Sequence, residues 1–252
     1  DPKTGKLYNP RQILGRVPGT TGRPPYYDPA FWPEIRARMA EKGFWPLYQD
    51  AHIHQFTDNF KPFMRWLSLE SHQKKYGRLP DAGEKLVLRD RARCTDERTI
   101  IAAVLPEQSV FGHTLNGLAC KQVDLHALCW LLNSLSFDFI ARFWVGGQHA
   151  SPYLLKRVPV ILPSLLLRRN ARLHDAKFLQ STPYDNESAW PVLMTSELAV
   201  AQAYNLTSDD FEYILSTFPV FARKRPRFYA YLKERVRQWR VEAGGGAPDD
   251  LV

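Results

Sequence analysis

The chain has 252 residues, of which 44% are hydrophobic and 13% aromatic, including seven Trp. That composition supports a sizeable core and excludes a disordered or fibrous chain. Lys and Arg total 34 against 26 Asp and Glu, a net charge of +8 with a pI near 9.4, which makes a polyanion such as nucleic acid the simplest partner.

Residues 1–29 are rich in Gly, Pro and Tyr and read as a loop or arm lying on another surface. Residues 29–42 are expected to form a helix, with Asp28 as N-cap, Pro29 first and Gly43 past the end. Residues 44–56 read as extended chain, and 57–83 as an irregular insertion. The alternation that begins with Leu86 and Leu88 in 86–93, and the apolar run at 99–105, predict a hairpin joined through 95–98. Asp124 can cap a helix whose apolar periodicity continues through Phe143 to Gly146-Gly147. A short apolar segment follows at 158–162. Ser208 or Asp209 can cap a helix reaching Phe218, and a basic helix is expected over 229–241, before a frayed tail from 244. Strands come early and helices late, so the expected class is α+β: a mixed or antiparallel sheet domain with a helical C-terminal portion.

Cys94, Cys120 and Cys129 form no CxxC pair. They argue against a disulfide framework or zinc ribbon and fit a reducing cytoplasm. The chain opens Asp1-Pro2-Lys3, with neither a signal peptide nor a methionine, which reads as an excised or processed piece. Its most apolar stretch, 125–145, carries Asn133, Asp138 and Arg142, so no membrane span is expected.

Two basic clusters stand out as candidate phosphate contacts. Eight basic residues and one acid, Glu234, lie between Arg223 and Arg240, and six basic residues and one acid, Asp175, lie between Lys156 and Lys177. Seven of the ten residues from Arg89 to Arg98 are charged. They would form either a basic edge offered to DNA or an ion-pair network bracing the hairpin. Gly146-Gly147-Gln148 is either a close-approach loop for a phosphate or a plain helix end.

His52-Ile53-His54 could place two imidazoles on one strand face for a metal, as in a hydrolase of the amidohydrolase type. The alternation of strands and helices that such a barrel requires is missing, and an ordinary hydrogen-bonded pair is favoured. Ser181-Thr182-Pro183-Tyr184 lacks the acid or amide and the first proline with which amino-group methyltransferases hold a base. No glycine-rich cofactor turn, Glu-x-Lys nuclease pair or nucleophile elbow occurs, so no catalytic residue is assigned.

Several segments, in order, resemble one family. Residues 46–56, ending Ile53-His54-Gln55-Phe56, are similar to the "PLYEGKMIHQF" stretch of large adenine-specific DNA methyltransferases. Those enzymes belong to restriction-modification systems and to phage-defence systems of the BREX and DISARM kind. Residues 89–99 resemble their "RDIARSTDERT" stretch through Arg89, Arg93, Thr95, Asp96, Glu97 and Arg98, with His52 and Arg91 replacing less polar residues. Residues 132–139 resemble an "LNS…FD" helix, Arg142 to Gly147 an "RxxVGG" turn, 156–160 a "KQLPV" strand and 210–219 a closing "YILxTFP" element. Several matches in succession are more specific than any one.

The resemblance covers roughly 44–163 and 206–232, and implies the target-recognition region that follows the methyltransferase domain. It therefore implies double-stranded DNA and a methyltransferase catalytic domain or subunit as partners. S-adenosylmethionine would be held by that parent enzyme, with no cofactor in this chain. The expected organisation is an arm and linking helix (1–43), a recognition core (44–163), an irregular connection (164–205), a basic helical segment (206–243) and a tail (244–252). Expected DNA contacts are Arg89, Arg93, Arg98, Arg142, Gln148, Arg223, Lys224, Arg225 and Arg227. His54, Gln55, Thr95, Asp96, Glu97, Gly146 and Gly147 stand as motif residues. A metal-dependent hydrolase built on His52 and His54, and a protein-interaction module of a defence complex, are the alternative functions.

Overall fold

The structure, a computed structural model, describes residues 8–15, 25–62, 64–92, 96–119, 124–145, 149–150, 152–161 and 183–243. It is an α+β fold, with its strands between residues 44 and 118 and a helical portion after them.

The described part of the arm carries helix α1 (Pro10–Leu14), capped by Asn9. Asp28 caps a single 3-10 turn, Pro29–Phe31, which leads into α2 (Trp32–Glu41). Helix α2 ends before Gly43, whose φ of 78° is the left-handed geometry that glycine adopts without strain. Ile35 and Met39 are buried against Tyr26 and Trp66, and Tyr8, Ile13 and Leu14 of the arm pack on the same cluster.

Strand β1 (Phe44–Tyr48) follows, then a two-strand hairpin of β2 (Ile53–His54) and β3 (Thr57–Asp58), then β4 (Arg65–Ser68). Residues 57–83 are thus more regular than expected, because β4 pairs antiparallel with β1, Trp45 opposite Leu67. Helix α3 (Leu69–Tyr76) lies there too, capped by the Ser68 hydroxyl and ended by Gly77 at φ 70°.

The expected hairpin is present: β5 (Lys85–Arg89) pairs antiparallel with β6 (Ala102–Leu105), Leu88 opposite Ala102. Strands β7 (Val110–Phe111) and β8 (Leu115–Leu118) complete two sheets, ordered β4-β1-β7 and β6-β5-β8. The Phe111 ring lies directly on Gly117 of β8, where any Cβ would collide with it. Strand β5 is buried on both faces. Leu86 and Leu88 face the helical core, while Val87 faces a second core with Tyr48, Ile53 and Leu115.

The long helix expected from Asp124 onward is two helices, α4 (Leu125–Asn133) and α5 (Leu135–Trp144). Ser134 breaks it by taking an extended backbone (φ −71°, ψ 151°) and accepting the Phe137 N–H at 3.2 Å, a local N-cap that outcompetes helix continuation. Residues 156–160 do not form the strand that the resemblance implies. Pro159 removes a ladder donor, and only Val158 is buried while Val160 and Ile161 are exposed. A short helix, α6 (Pro152–Leu155), precedes it.

The C-terminal portion comprises α7 (Trp190–Ala203), α8 (Ser208–Ser216), α9 (Pro219–Lys224) and α10 (Pro226–Ala243). Much of 183–205 is therefore helical where an irregular connection was expected; residues 164–182 and the tail from 244 lie outside the described residues. The cap of α8 is Thr207, one residue before the expected Ser208, in a reciprocal box with Asp210. Phe228, Leu232, Val236 and Trp239 of α10 are buried in the same core as Leu86 and Leu88, so strand β5 and the C-terminal helices share one interior. Among the described residues, no helix is long and apolar enough to cross a membrane.

Candidate nucleic-acid interface

The turn of the β2–β3 hairpin fixes the first motif. Phe56 takes φ 66°, a conformation costing a bulky residue about 1–2 kcal/mol. It is held there from two sides: its N–H donates to Ala102 O at 3.0 Å, and its ring lies 4.5 Å from Trp130. That anchoring drives Gln55 to 0% exposure, and among the described residues neither end of its amide meets a partner.

His54 is half-buried and accepts the Gln55 N–H on Nδ1 at 2.9 Å. Burial, followed by the charges of Arg89, Arg225 and Lys224, lowers its pKa to about 4, against a smaller opposing effect of Asp96. His54 is therefore a neutral ring in a positive field. His52 lies in a 3-10 turn, not on a strand beside His54, and its Nδ1 accepts the Gln49 N–H at 3.0 Å. The expected shared strand face does not form, and both Nδ1 atoms are occupied. Among the described residues, no three His, Cys, Asp or Glu side chains form a metal-holding group.

The charged stretch 96–98 turns inward. Asp96 lies 3.8 Å from Arg89, whose guanidinium also donates to Ile53 O. Glu97 is 4% exposed and pairs with Arg225 Nε at 2.9 Å, across 128 residues of sequence. Arg98 is 1% exposed; its guanidinium carbon lies 4.1 Å from the centre of the Phe221 ring and 4.9 Å from that of Phe218. It donates to Glu97 O at 3.2 Å and Tyr184 Oη at 3.4 Å, and where burial raises the pKa of Glu197 and Asp138 its charge opposes part of that rise.

Three of the expected DNA contacts are engaged inside the fold. Arg98 is a core cation with no surface to offer. Arg142 spends its donors on Asp138 (3.0 and 3.1 Å), Thr99 (3.3 Å) and Thr217 O (3.1 Å), with its guanidinium over Phe218. Arg225 bridges Glu97 and Asp185 and is itself mostly covered. Each is a brace between segments distant in sequence. Arg93, Thr95, Gly146, Gly147 and Gln148 lie outside the described residues.

Of the expected DNA contacts among the described residues, Arg223, Lys224 and Arg227 are exposed. They cluster at the α9–α10 junction, which Arg225 ties to Glu97 and Asp185. Arg227 pairs with Glu187 but remains 79% exposed. Arg235 and Arg237 continue the outward face of α10.

Arg89 also forms one wall of a cavity of about 540 Å³, shared with Asp50, Arg91, His113 and Thr114. The walls are mutually fixed. Asp90 N donates to Thr114 O (3.0 Å), Asp50 N to Thr114 Oγ1 (3.0 Å) and Ala150 N to Asp90 O (2.8 Å), and the Asp90 carboxylate holds His149 (3.0 Å) and Asn116 (3.1 Å). Arg91 projects from this platform into solvent.

The structural partners were not foreseen from sequence. Asn133 and Asp138 extend the outer edge of β6: Asn133 Oδ1 accepts Ala102 N–H at 3.0 Å, Asn133 Nδ2 donates to Ala102 O at 2.9 Å, and Asp138 Oδ1 accepts Ile100 N–H at 2.6 Å. Glu197 accepts the N–H of Leu135, the first residue of α5, at 2.9 Å, and burial raises its pKa to about 7. A buried acid or amide inside an apolar run was the signal that could have marked all three. Compared with known proteins, the chain matches no protein-family model, and no curated protein matches it.

Proposed function

We propose that this chain is the target-recognition part of an adenine-N6 DNA methyltransferase, gripping duplex DNA while a catalytic domain or subunit transfers the methyl group from S-adenosylmethionine. The ordered resemblance of its motifs to that family motivates the reading. The observation that carries it is convergence. The 53–58 hairpin, the Arg89 end of β5 and the α9–α10 junction meet at one place: Arg89 donates to Ile53 O, and burial, followed by the charges of Arg89, Arg225 and Lys224, lowers the His54 pKa.

In this reading the exposed Arg223, Lys224 and Arg227 contact phosphates and set the register of the chain on the duplex. Arg91, on its braced platform beside Arg89, is placed to reach a base edge, which arginine reads through paired donors. Arg98, Arg142 and Arg225 act indirectly by holding those elements together. Target adenine must leave the stack for methyl transfer, so a grip that fixes the flanking backbone serves the chemistry without taking part in it.

Fluorescence anisotropy of the chain with a labelled duplex, titrated in salt, tests this. The expected result is binding that weakens steeply between about 50 and 200 mM salt. Absence of binding at low salt contradicts the proposal.

A further inference from the structure

A second cavity, of about 650 Å³, lies beside α2. Its walls are mostly apolar and include Trp32, Pro33, Phe60 and Pro106. The Trp32 indole is fixed by its Nε1–H donating to Tyr26 O at 3.3 Å, and its ring meets Phe60 edge-on at 6.4 Å. Asp58 and Arg36 are two of the charged groups that line it. Asp58 is 4% exposed and accepts the Tyr48 hydroxyl on Oδ2 at 2.6 Å, which fixes the carboxyl group. Arg36 is anchored through Nη2 alone, to Glu107 O and to Ser109 Oγ at 2.9 Å; among the described residues, its other N–H groups carry no hydrogen bond.

A rigid aromatic face, a fixed acceptor and an anchored donor in one apolar cavity select a particular chemistry. The face suits a flat ring, and the volume falls in the range of sites for small organic molecules. The carboxylate requires an N–H donor and the guanidinium a lone pair, as an amino-substituted nitrogen heterocycle presents on one edge. Glu84 and Glu107 add two further acids to the lining, unlike the basic surface around α9 and α10, and so disfavour phosphate. The Arg36 charge in turn disfavours a simple organic cation.

We propose that this cavity binds an uncharged amino-substituted nitrogen heterocycle of nucleobase type, its N–H edge on Asp58, a ring nitrogen on Arg36 and its face on Trp32. The site is independent of the DNA grip and takes a free base or nucleoside, not a nucleotide in a strand.

Ligand-observed NMR and calorimetry with adenosine as the probe test it, with inosine, AMP and benzamidine as comparisons. Adenosine should bind the wild-type chain. Inosine, which lacks the amino group, and AMP, which adds charge, should each bind more weakly. Asp58→Asn should weaken adenosine binding about 10-fold or more, the scale of one hydrogen bond to a charged group. Trp32→Leu, which spares the Tyr48–Asp58 pair, should weaken it independently, and unchanged melting temperatures show that both variants are folded. No adenosine binding at millimolar concentration, equal binding by the wild type and both variants, or tighter binding of AMP or benzamidine than of adenosine would overturn the assignment.

Discussion

His54 and Glu197 titrate in opposite senses. Burial and nearby cations hold His54 at a pKa of about 4, below its ordinary 6.5, so the unfolded chain binds the extra proton first and stability falls as pH drops from about 6.5 toward 4. Burial raises Glu197 from 4.5 to about 7, so the folded chain holds that proton and stability falls as pH rises from about 4.5 to 7. Each slope is on the order of 1.4 kcal/mol per pH unit, and over their common window they oppose each other. Glu197→Gln, which keeps an acceptor for Leu135, should leave a chain that loses stability on acidification, and His54→Gln one that gains it. Urea unfolding at pH 5 and 6.5 reads the difference; identical profiles in all three chains would show that neither group is perturbed as described.

Arg98 poses a harder residue-scale problem, a guanidinium at 1% exposure. Removing one member of a buried charge network costs about 3–5 kcal/mol, because the partners are left uncompensated. Arg98→Ala should lose that much in urea unfolding, and a loss below about 1 kcal/mol would mean that the cation is dispensable. In the sequence, Arg98, Arg142 and Arg225 were indistinguishable from Arg223 and Arg227. A run of charges does not reveal which cation is neutralised by an acid far away in the chain, as Arg225 is by Glu97. Local caps were legible, because Asp28 and Asp124 act within a few residues of their own positions.

At the scale of elements, side chains from the α4–α5 corner serve as a partial strand. Asn133 and Asp138 satisfy the outer edge of β6, so an edge that would otherwise be buried without partners is closed by helices. Asn133→Ala removes the acceptor of the Ala102 N–H and should cost about 1–3 kcal/mol, measured as a lower urea midpoint with an unchanged slope. An unchanged midpoint would mean that the edge is satisfied otherwise. The segment that resembles an "LNS…FD" helix thus coincides with a folding device. The β5–β6 hairpin was legible from alternation, with Leu86 and Leu88 on one face. Helix α3 was not, since its sequence LESHQKKY contains no apolar stripe and only its cap and Gly77 mark it.

At the scale of the molecule, charge is segregated. The surface around the α9–α10 junction is basic, whereas the cavity beside α2 is lined by Asp58, Glu84 and Glu107 against Arg36. The sequence displayed the basic cluster at 223–240 but not its neighbours, because convergence with the 53–58 hairpin depends on packing between residues more than a hundred positions apart. Net charge alone would attract DNA to any basic surface, so location is the discriminating property. Two triple variants with equal charge loss separate the cases: Arg223→Ala/Lys224→Ala/Arg227→Ala at the proposed grip, and Lys74→Ala/Lys75→Ala/Arg78→Ala at exposed positions on and just after α3.

The most direct test is the slope of log affinity against log salt for a labelled duplex in these two variants and the wild type. Each lost phosphate contact lowers the slope by about 0.9. The account predicts a slope shallower by about 2 to 3 in the α9–α10 variant and unchanged in the α3 variant; equal loss in both, or a larger loss in the α3 variant, would contradict it.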